Sequence, residues 1–458
     1  MTDSFRRPLL CAALFVTATP AFALAQSASG EGGASADSVG EASGDPPGLL
    51  EGGGILVGDG ITFHPTLELH GGYQSNVFFE DNNDRGNDGQ IGSPIIRFAV
   101  GGGLGTRPLQ RLEVEAGDSA PPSRKLALRG DVLLTWNQYL AEHWGVSEQS
   151  DLGVGLLLDA HFNPDAPLSV RVREGFTRAV TPPTALSIEG ADRDKNDLVL
   201  GIVYKPGGGA IEGYAHYTFG VDLFERTSLQ FSNRSSHMGT VGGRWQWLPK
   251  TQFNTEANVG LVSGTSLKSD SMPMRFWAGT STLITPTVGL VLRGGYGMGN
   301  YTAGETFASY LAQAEGRIAV GPVLRLAFGY SHDFTDTLIA NFYTDHAVYG
   351  RMSTQVAGRL QLRARGELRF RDYSGIPMTA QGVVFCSGGA ASCSSSDRTD
   401  IVARVDTTLD YQLNPWLVLG GAFTLLSDTT DFFIVAGSQS DSAGFVWTEF
   451  LAKASAHF

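Results

Sequence analysis

The chain has 458 residues, only 17 % of them charged, and a formal net charge of −13. Its mean hydropathy of −0.04 is too low for a helical membrane protein, and no basic patch points to nucleic acid as a partner. This length would ordinarily indicate two or three domains. A single large β-barrel is the main exception, because a closed sheet grows by adding hairpins rather than new cores.

Residues 1–25 have the pattern of a cleavable secretory signal. Arg6 and Arg7 precede a short apolar run, and small residues follow, with Ala21-Phe22-Ala23 and Ala23-Leu24-Ala25 as alternative cleavage sites. A membrane anchor is the alternative interpretation, but the apolar run is shorter than the roughly 20 residues that a span needs. We therefore expect an exported protein.

Residues 26–60 contain Gly, Ala, Ser and acidic residues but no Lys, Arg or aromatic residue. Such a segment cannot bury enough apolar surface to fold, so we predict a disordered acidic leader in the periplasm.

Residues 61–458 consist of segments that alternate apolar and polar side chains, as membrane-spanning strands do. The clearest segment is 360–371, where Leu and Phe alternate with Gln, Arg and Glu. Short turns with Pro or Gly alternate with longer polar loops, among them 374–398. The pattern predicts an all-β, antiparallel transmembrane barrel of about 18 strands in the cell outer membrane. Sixteen strands is the alternative, because 107–125 is irregular.

The last segment is an amphipathic strand that ends on Phe458, the C-terminal residue. A terminal Phe on such a strand resembles the signal that the barrel-assembly machinery reads in outer-membrane proteins. The resemblance implies this machinery and outer-membrane lipid as partners.

The first barrel strand ends in Gly71-Gly72-Tyr73-Gln74-Ser75-Asn76-Val77-Phe78. Tyr73, Ser75 and Asn76 give it a pattern that resembles the opening strand of the β-barrel porins found with exopolysaccharide-secretion systems. The resemblance implies export of a surface polysaccharide, with periplasmic polysaccharide-export proteins as partners, and it brings no catalytic residues. An anionic glycan as partner is expected only from the lumen arginines described next. Ser-Asn is also ordinary turn chemistry at the end of a strand.

Alternation directs many arginines of the C-terminal third into the predicted lumen. They form a predicted basic wall of Arg293, Arg317, Arg325, Arg351, Arg363, Arg365, Arg369, Arg371 and Arg404, with Glu315, Glu367, Asp406 and Asp410 as acidic partners. Guanidinium groups suit anionic solutes and acidic glycans, and charges in a pore set selectivity. Alternatively, the arginines only pair with the lumen carboxylates.

Aromatic residues near strand ends favour anchoring at the membrane interface. They are Trp136, Tyr139, Trp144, Trp245, Trp247, Trp277, Trp416 and Trp447. Stacking of sugars inside the lumen is the alternative, and it requires that these rings point inward.

Cys386 and Cys393 lie close together in a small-residue stretch, which in an oxidising compartment predicts a loop disulfide. We expect no metal, no cofactor and no enzyme. Ser331-His332-Asp333 cannot form a catalytic relay, because neighbours on a strand point to opposite faces.

The predicted barrel and the resemblance of its opening strand make a channel for polysaccharide export the leading hypothesis. A general or anion-preferring diffusion porin and a structural or adhesive barrel with a blocked lumen are the alternatives.

Overall fold

The computed structural model describes residues 54–57, 60–81, 90–106, 125–181, 191–225, 233–264, 270–321, 323–337, 340–376, 379–380, 383–387, 395–436 and 439–458. Eighteen long antiparallel strands form one sheet, and pairing of the last strand with the first closes it. The predicted barrel of 18 strands is confirmed, and the alternative of 16 is wrong. The predicted signal, residues 1–25, and most of the predicted leader, residues 26–60, lie outside the described residues. The described part of the leader includes the short strand Ile55–Leu56, which pairs with Phe63 and Thr62, so the leader is not disordered throughout.

The strands are numbered here in chain order. They are β1 Ile61–Gln74, β2 Ser93–Thr106, β3 Leu126–Tyr139, β4 Asp151–Phe162, β5 Leu168–Thr181, β6 Ala191–Tyr204, β7 Ile211–Phe224, β8 Arg234–Leu248, β9 Thr251–Gly264, β10 Ser271–Thr285, β11 Val288–Tyr301, β12 Phe307–Val320, β13 Leu324–Asp336, β14 Phe342–Val356, β15 Leu360–Ser374, β16 Arg398–Asn414, β17 Leu417–Thr430 and β18 Phe445–His457.

The two faces of the sheet differ because side chains alternate along each strand. On β15, Leu368 and Phe370 point outward with 38 % and 45 % exposure, while Glu367 and Arg371 point inward and are buried. The same alternation around the barrel gives an apolar outer face and a polar, charged inner face. This is the arrangement that a barrel needs when lipid surrounds it.

The aromatic residues divide between the two faces. Trp136, Trp245, Trp247 and Trp416 are exposed on the outside, as interface anchors are. Trp277 and Trp447 differ from the prediction, since both point inward with only 6 % exposure. Tyr139 also points inward, against a buried cluster of Ile95, Ala422 and Leu451. Trp144 begins a one-turn helix, Trp144–Ser147. No helix in the described part of the chain is long and apolar enough to cross a membrane.

The two ends of the barrel have different connections. Tight turns such as 249–250, 286–287 and 415–416 join strands at one end, the short-turn end, and β1 begins and β18 ends there. At this end the backbone nitrogen of Phe458 donates to the carbonyl of Pro65 at 3.1 Å, and its ring stacks on Trp416 at 5.8 Å.

Longer connections lie at the opposite, long-loop end. There the loops 375–397 and 431–444 contribute the strands Thr379–Ala380, Val383–Ser387, Phe432–Ala436 and Gln439–Ser442, which form a separate four-stranded sheet. Near the same end, Phe79 packs on Phe445 and Trp447 of β18, with ring centroids 5.3 Å and 5.9 Å apart.

The tip of the β13–β14 hairpin leaves the barrel wall and folds inward. Pairing between β12 and β13 stops at Ala312 and His332, well before either strand ends at the long loops. Beyond that point Phe334 stacks on lumen-facing Phe307 with ring centroids 4.1 Å apart, and it is fully buried. The hairpin tip therefore covers part of the inner wall near the long-loop end.

Polar contacts hold this tip on β10 and β11. Asp336 accepts hydrogen bonds from Ser271 and from the Tyr301 hydroxyl, the latter at 2.7 Å. Arg275 Nε donates to Asp333 Oδ1 at 3.0 Å. Because an added Cβ on Gly297 would lie 2.8 Å from Phe334, the glycine leaves the room that the ring needs.

Candidate functional site

Inward-facing side chains on β12–β16 lie in lateral rows, because the strands pair in a continuous register. Arg317 on β12 lies opposite Ala327 on β13, which lies opposite Arg351 on β14, and Arg351 lies opposite Arg365 on β15. One row nearer the short turns, Arg325 lies opposite Ser353 and Ser353 opposite Arg363. These residues form the C-terminal arginine patch: Arg317, Arg325, Arg351, Arg363 and Arg365.

The row on the other side of the patch supplies its carboxylates. Glu315 accepts hydrogen bonds from Arg317 and Arg351, both at 2.5 Å, and from the Tyr349 hydroxyl at 2.7 Å. Glu367 accepts from Arg365 at 2.9 Å. The ion pairs are therefore diagonal, between adjacent rows rather than within one row.

In these pairs the cation is exposed and the anion is buried. The Arg351 side chain is 52 % exposed and its partner Glu315 only 3 %, while Arg365 is 44 % exposed and Glu367 only 5 %. Water inside the barrel therefore contacts guanidinium groups, with the carboxylates covered beneath them. The surface that the water contacts is therefore more positive than the sum of the charges on these arginines and carboxylates.

Two arginines of the patch have no carboxylate partner within the described residues. Arg363 donates to the side-chain oxygen of Gln361 at 2.9 Å, and the guanidinium of Arg325 has neither a hydrogen bond nor an ion pair there. Across the three rows, six arginines (the patch and Arg404) face three carboxylates (Glu315, Glu367 and Asp406), an excess of three positive charges.

A second group of exposed arginines lies on β3–β5 and forms the N-terminal arginine patch: Arg129, Arg171 and Arg173. Arg129 is 54 % exposed over Asp131 at 5 %, and Arg171 is 42 % exposed over Asp159 at 17 %. Arg173 is exposed and lies opposite Asp159 in the β4–β5 ladder. Here too the guanidinium groups cover the carboxylates.

The two patches face each other across the lumen. In an 18-strand barrel, strands nine apart in order lie on opposite sides, and β3–β5 are nine strands from β12–β14. Both patches lie within five residues of the short-turn ends of their strands, or about 17 Å along a strand. The pore therefore has a level at which guanidinium groups line both walls.

The remaining arginines of the predicted wall are held away from the lumen water. Arg293 is 3 % exposed and lies over the Trp277 ring at 4.9 Å, with Glu256 at 3.8 Å. Arg371 is 6 % exposed, binds Asp345 at 3.0 Å and lies 4.1 Å over the Tyr343 ring.

Arg369 and Arg404 are more exposed, at 20 % and 14 %, and pair with Asp345 and Asp406 at 2.7 Å. Asp410 pairs with Lys453 instead of an arginine. The arginines of the predicted basic wall therefore fall into two groups: those exposed to the lumen in the C-terminal arginine patch, and those largely buried in ion pairs or against aromatic rings.

The motif Tyr73, Ser75 and Asn76 fixes the start of the first long loop. Asn76 is fully buried, and its side-chain amide donates to the carbonyls of Glu80 and Val446 at 2.8 Å and 3.0 Å. Ser75 Oγ accepts from the backbone nitrogen of Thr448 at 2.9 Å, whereas Tyr73 points outward with 51 % exposure. These contacts give the motif a structural role between β1 and β18.

The Ser331-His332-Asp333 run has the geometry that alternation predicts. His332 stacks on His346 and Tyr310, with ring centroids 4.2 Å and 4.6 Å apart, while Asp333 binds Arg275. Within the described residues no group of three or more His, Cys, Asp or Glu could hold a metal ion. Cys386 is disulfide-bonded and fully buried; Cys393 lies outside the described residues.

No protein-family model matches the chain, and no curated protein matches its sequence. Among solved structures, it is similar to OccK2 (OpdF) of Pseudomonas aeruginosa, crystallised with glucuronate, at 11 % identity and a TM-score of 0.45, over 86 % of this chain and 98 % of that one. It is also similar to OpdO of that organism (12 %, TM-score 0.43, 86 % and 97 % covered) and to its siderophore receptor PirA (8 %, TM-score 0.40, 86 % and 80 % covered).

The barrel itself shows where the protein resides. Its sheet is closed and its outer face is apolar with exposed tryptophans. All but one of the connections at one end of the barrel have six residues or fewer, the exception being 107–125 between β2 and β3, and the opposite end carries long loops such as 375–397. In lipid every backbone polar group must be satisfied internally, and a closed sheet meets this condition without helices. The chain is therefore an outer-membrane protein that crosses the membrane as an 18-strand β-barrel.

Proposed function

We propose that this barrel is a channel through which anionic solutes diffuse in preference to cations. The observation that supports the proposal is the asymmetry of the ion pairs in the two arginine patches, where guanidinium groups are exposed and carboxylates buried. A channel selects by the charges that its water contacts, not by the net charge of the chain. The overall charge of −13 is thus compatible with an anion-preferring pore.

The arrangement suits passage rather than tight capture. Arginine stays charged at every physiological pH, and its planar fork binds carboxylate and phosphate groups through two hydrogen bonds. Arg325 and Arg363 have donors that no carboxylate of the described residues occupies. Because the patches lie in water and are partly paired, each contact is weak, which lets an anion enter and leave.

The test is the reversal potential of single channels in planar bilayers across a KCl gradient. The native barrel should favour chloride, and the variant R351Q/R363Q/R365Q should lose part of that preference while keeping its conductance of ions. Arg371→Gln is the control, because its guanidinium faces the same lumen but is only 6 % exposed and pairs with Asp345. Electrical silence of the native barrel would instead favour a structural or adhesive barrel with a blocked lumen.

Export of an acidic surface polysaccharide is the second candidate. The observation in its favour is that guanidinium groups lie in rows on both walls, so a polymer with regularly spaced carboxylates could contact several at once. This role requires periplasmic polysaccharide-export proteins as partners. Deletion of the gene distinguishes the candidates, since an exporter predicts loss of the surface polysaccharide and a diffusion channel predicts slower uptake of small anions.

A further inference from the structure

The row of the C-terminal arginine patch nearest the short turns differs from the other rows in the partners of its arginines. Arg325 on β13 lies opposite Ser353 on β14, which lies opposite Arg363 on β15, and all three side chains are partly exposed to the lumen. Within the described part of the chain, the side chains of Arg325 and Ser353 have no hydrogen bond or ion pair, and Arg363 donates to Gln361 at 2.9 Å. The hydrogen-bond donors of this row are therefore available to a solute.

The three strands that carry this row have no carboxylate close to it. On the short-turn side its lumen-facing neighbours on β14 and β15 are Gln355 and Gln361, and on the other side they are arginines of the same patch. The first carboxylate of β13–β15 beyond them is that of Glu367, four residues or about 13 Å along the strand from Arg363. An anion that enters the row therefore displaces no carboxylate of these strands.

The two carboxylates of the adjacent strand, β16, are paired with other cations. Asp406 accepts from Arg404 Nε at 2.7 Å, and Asp410 lies 2.5 Å from Lys453 Nζ. Their charges are offset by these partners, so the positive charges of Arg325 and Arg363 remain uncompensated.

The spacing of the row suits one anion held between two arginines. The backbones of Arg325 and Arg363 are two strand spacings apart, or about 10 Å at ~4.8 Å per strand. An extended arginine side chain is longer than half of this distance, so both guanidinium groups can reach an anion that lies over Ser353. The Ser353 hydroxyl is at the midpoint, where it can donate a further hydrogen bond to the same anion.

We propose that Arg325, Ser353 and Arg363 form a binding site for a phosphate monoester group. The inference rests on the proposed function, because it names the class of anion that this part of the channel binds. A phosphate monoester has three terminal oxygens and a charge of about −1.5 to −2 at pH 7, so it can accept from two guanidinium groups and a hydroxyl at once. A carboxylate has two oxygens and one charge, so it leaves part of the row without a partner.

The experiment measures the concentration of an added anion that halves the chloride current of the barrel in planar bilayers. The probes are methyl phosphate, methyl sulfate, which has the same shape but one negative charge, and acetate, which is planar with one charge. At about pH 7 methyl phosphate should halve the current at a concentration about tenfold or more below that of either other anion, because only methyl phosphate offers a charge to each guanidinium group.

Variants of the row locate the site. Arg325→Gln and Arg363→Gln should each raise the half-blocking concentration of methyl phosphate by about tenfold or more, and Ser353→Ala should raise it about threefold to tenfold. Arg129→Gln is the matched control, because it removes one exposed arginine from the opposite wall of the lumen and leaves the row intact. It should change the half-blocking concentration by less than about threefold, since salt screens charges at that distance.

Equal half-blocking concentrations of methyl phosphate and methyl sulfate would overturn the inference, and so would equal effects of Arg129→Gln and Arg363→Gln. Calorimetric titration of the detergent-solubilised barrel with methyl phosphate repeats the comparison without a current. If the native barrel favours chloride but binds methyl phosphate no better than methyl sulfate, the site fails and the channel function stands. If the barrel is electrically silent but its binding of methyl phosphate depends on Arg363, the channel function fails and the site stands.

Discussion

Arg351 and Arg365 lie directly opposite each other in the β14–β15 ladder, yet each guanidinium binds a different buried carboxylate. Like charges at directly opposed positions destabilise a sheet. Glu315 and Glu367 offset this repulsion diagonally from the neighbouring row, at 2.5 Å and 2.9 Å. The arrangement keeps two positive charges side by side on the lumen surface, where they contact water and solute.

The Glu315→Gln variant tests the diagonal pairing. Glu315 accepts from Arg317, Arg351 and Tyr349, and a Gln side chain has no charge with which to hold two guanidinium groups. We expect the free energy of unfolding to fall by about 1–3 kcal/mol, measured by urea titration in lipid vesicles. Chloride preference should rise. Asp197→Asn, in a pair whose side chains are 38 % and 40 % exposed, should leave stability nearly unchanged.

Arg371→Gln tests the difference between buried and exposed arginines. The Arg371 guanidinium is buried with Asp345 and Tyr343, so its loss leaves a buried carboxylate partly unpaired and should cost about 3 kcal/mol. The reversal potential should stay at the native value. Arg363→Gln should do the opposite, lowering chloride preference with little loss of stability. A change of selectivity in Arg371→Gln would contradict the division of the wall into two parts.

Gly297→Ala tests the inward-folded tip of the β13–β14 hairpin. A methyl group there would lie 2.8 Å from Phe334 and 2.9 Å from Phe307, and such overpacking costs about 1–3 kcal/mol. The thermal unfolding midpoint should fall and the conductance should rise as the tip is displaced. Gly294→Ala, on the same strand with open space at its Cβ, is the matched control and should change neither quantity.

Asn76→Ala tests the role of the opening motif. The buried side chain bonds Glu80 and Val446, so its removal should cost about 1–3 kcal/mol and expose loop 75–92 to proteases. Gln90→Ala removes only one long contact to Glu80, at 3.4 Å, and should resist proteolysis like the native chain. An unaltered cleavage rate in Asn76→Ala would show that the motif does not hold the loop.

The fold could be predicted because the alternation of apolar and polar residues within a single strand shows which side chains face lipid and which face the lumen. On β15, six consecutive alternations place apolar residues outside and polar residues inside, and the structure follows them. The prediction that Trp277 anchors the barrel at the membrane interface was wrong, because its ring points inward. Phe276 precedes it, and the sequence alone does not show which of two adjacent aromatic residues faces lipid. The contact of Trp277 with Arg293 on the neighbouring strand decides the orientation.

The arrangement of the patches could not be predicted in the same way. Arg129, Arg171 and Arg173 are separated along the sequence and come together only through the register of β3, β4 and β5. Likewise, alternation directs Arg351 and Arg371 to the same face, but only the packing of neighbouring strands shows that one is 52 % exposed and the other 6 %. The exposure of a charged side chain depends on its neighbours in the closed barrel and not on its position in the strand alone.

The central claim is tested most directly by removing both patches together and measuring reversal potentials across a KCl gradient. We predict that the native barrel favours chloride, that R351Q/R363Q/R365Q and R129Q/R171Q/R173Q each reduce this preference, and that the combined variant abolishes or reverses it because the remaining lumen charges are largely paired. Native-like chloride preference in the combined variant, or cation preference in the native barrel, would contradict the account.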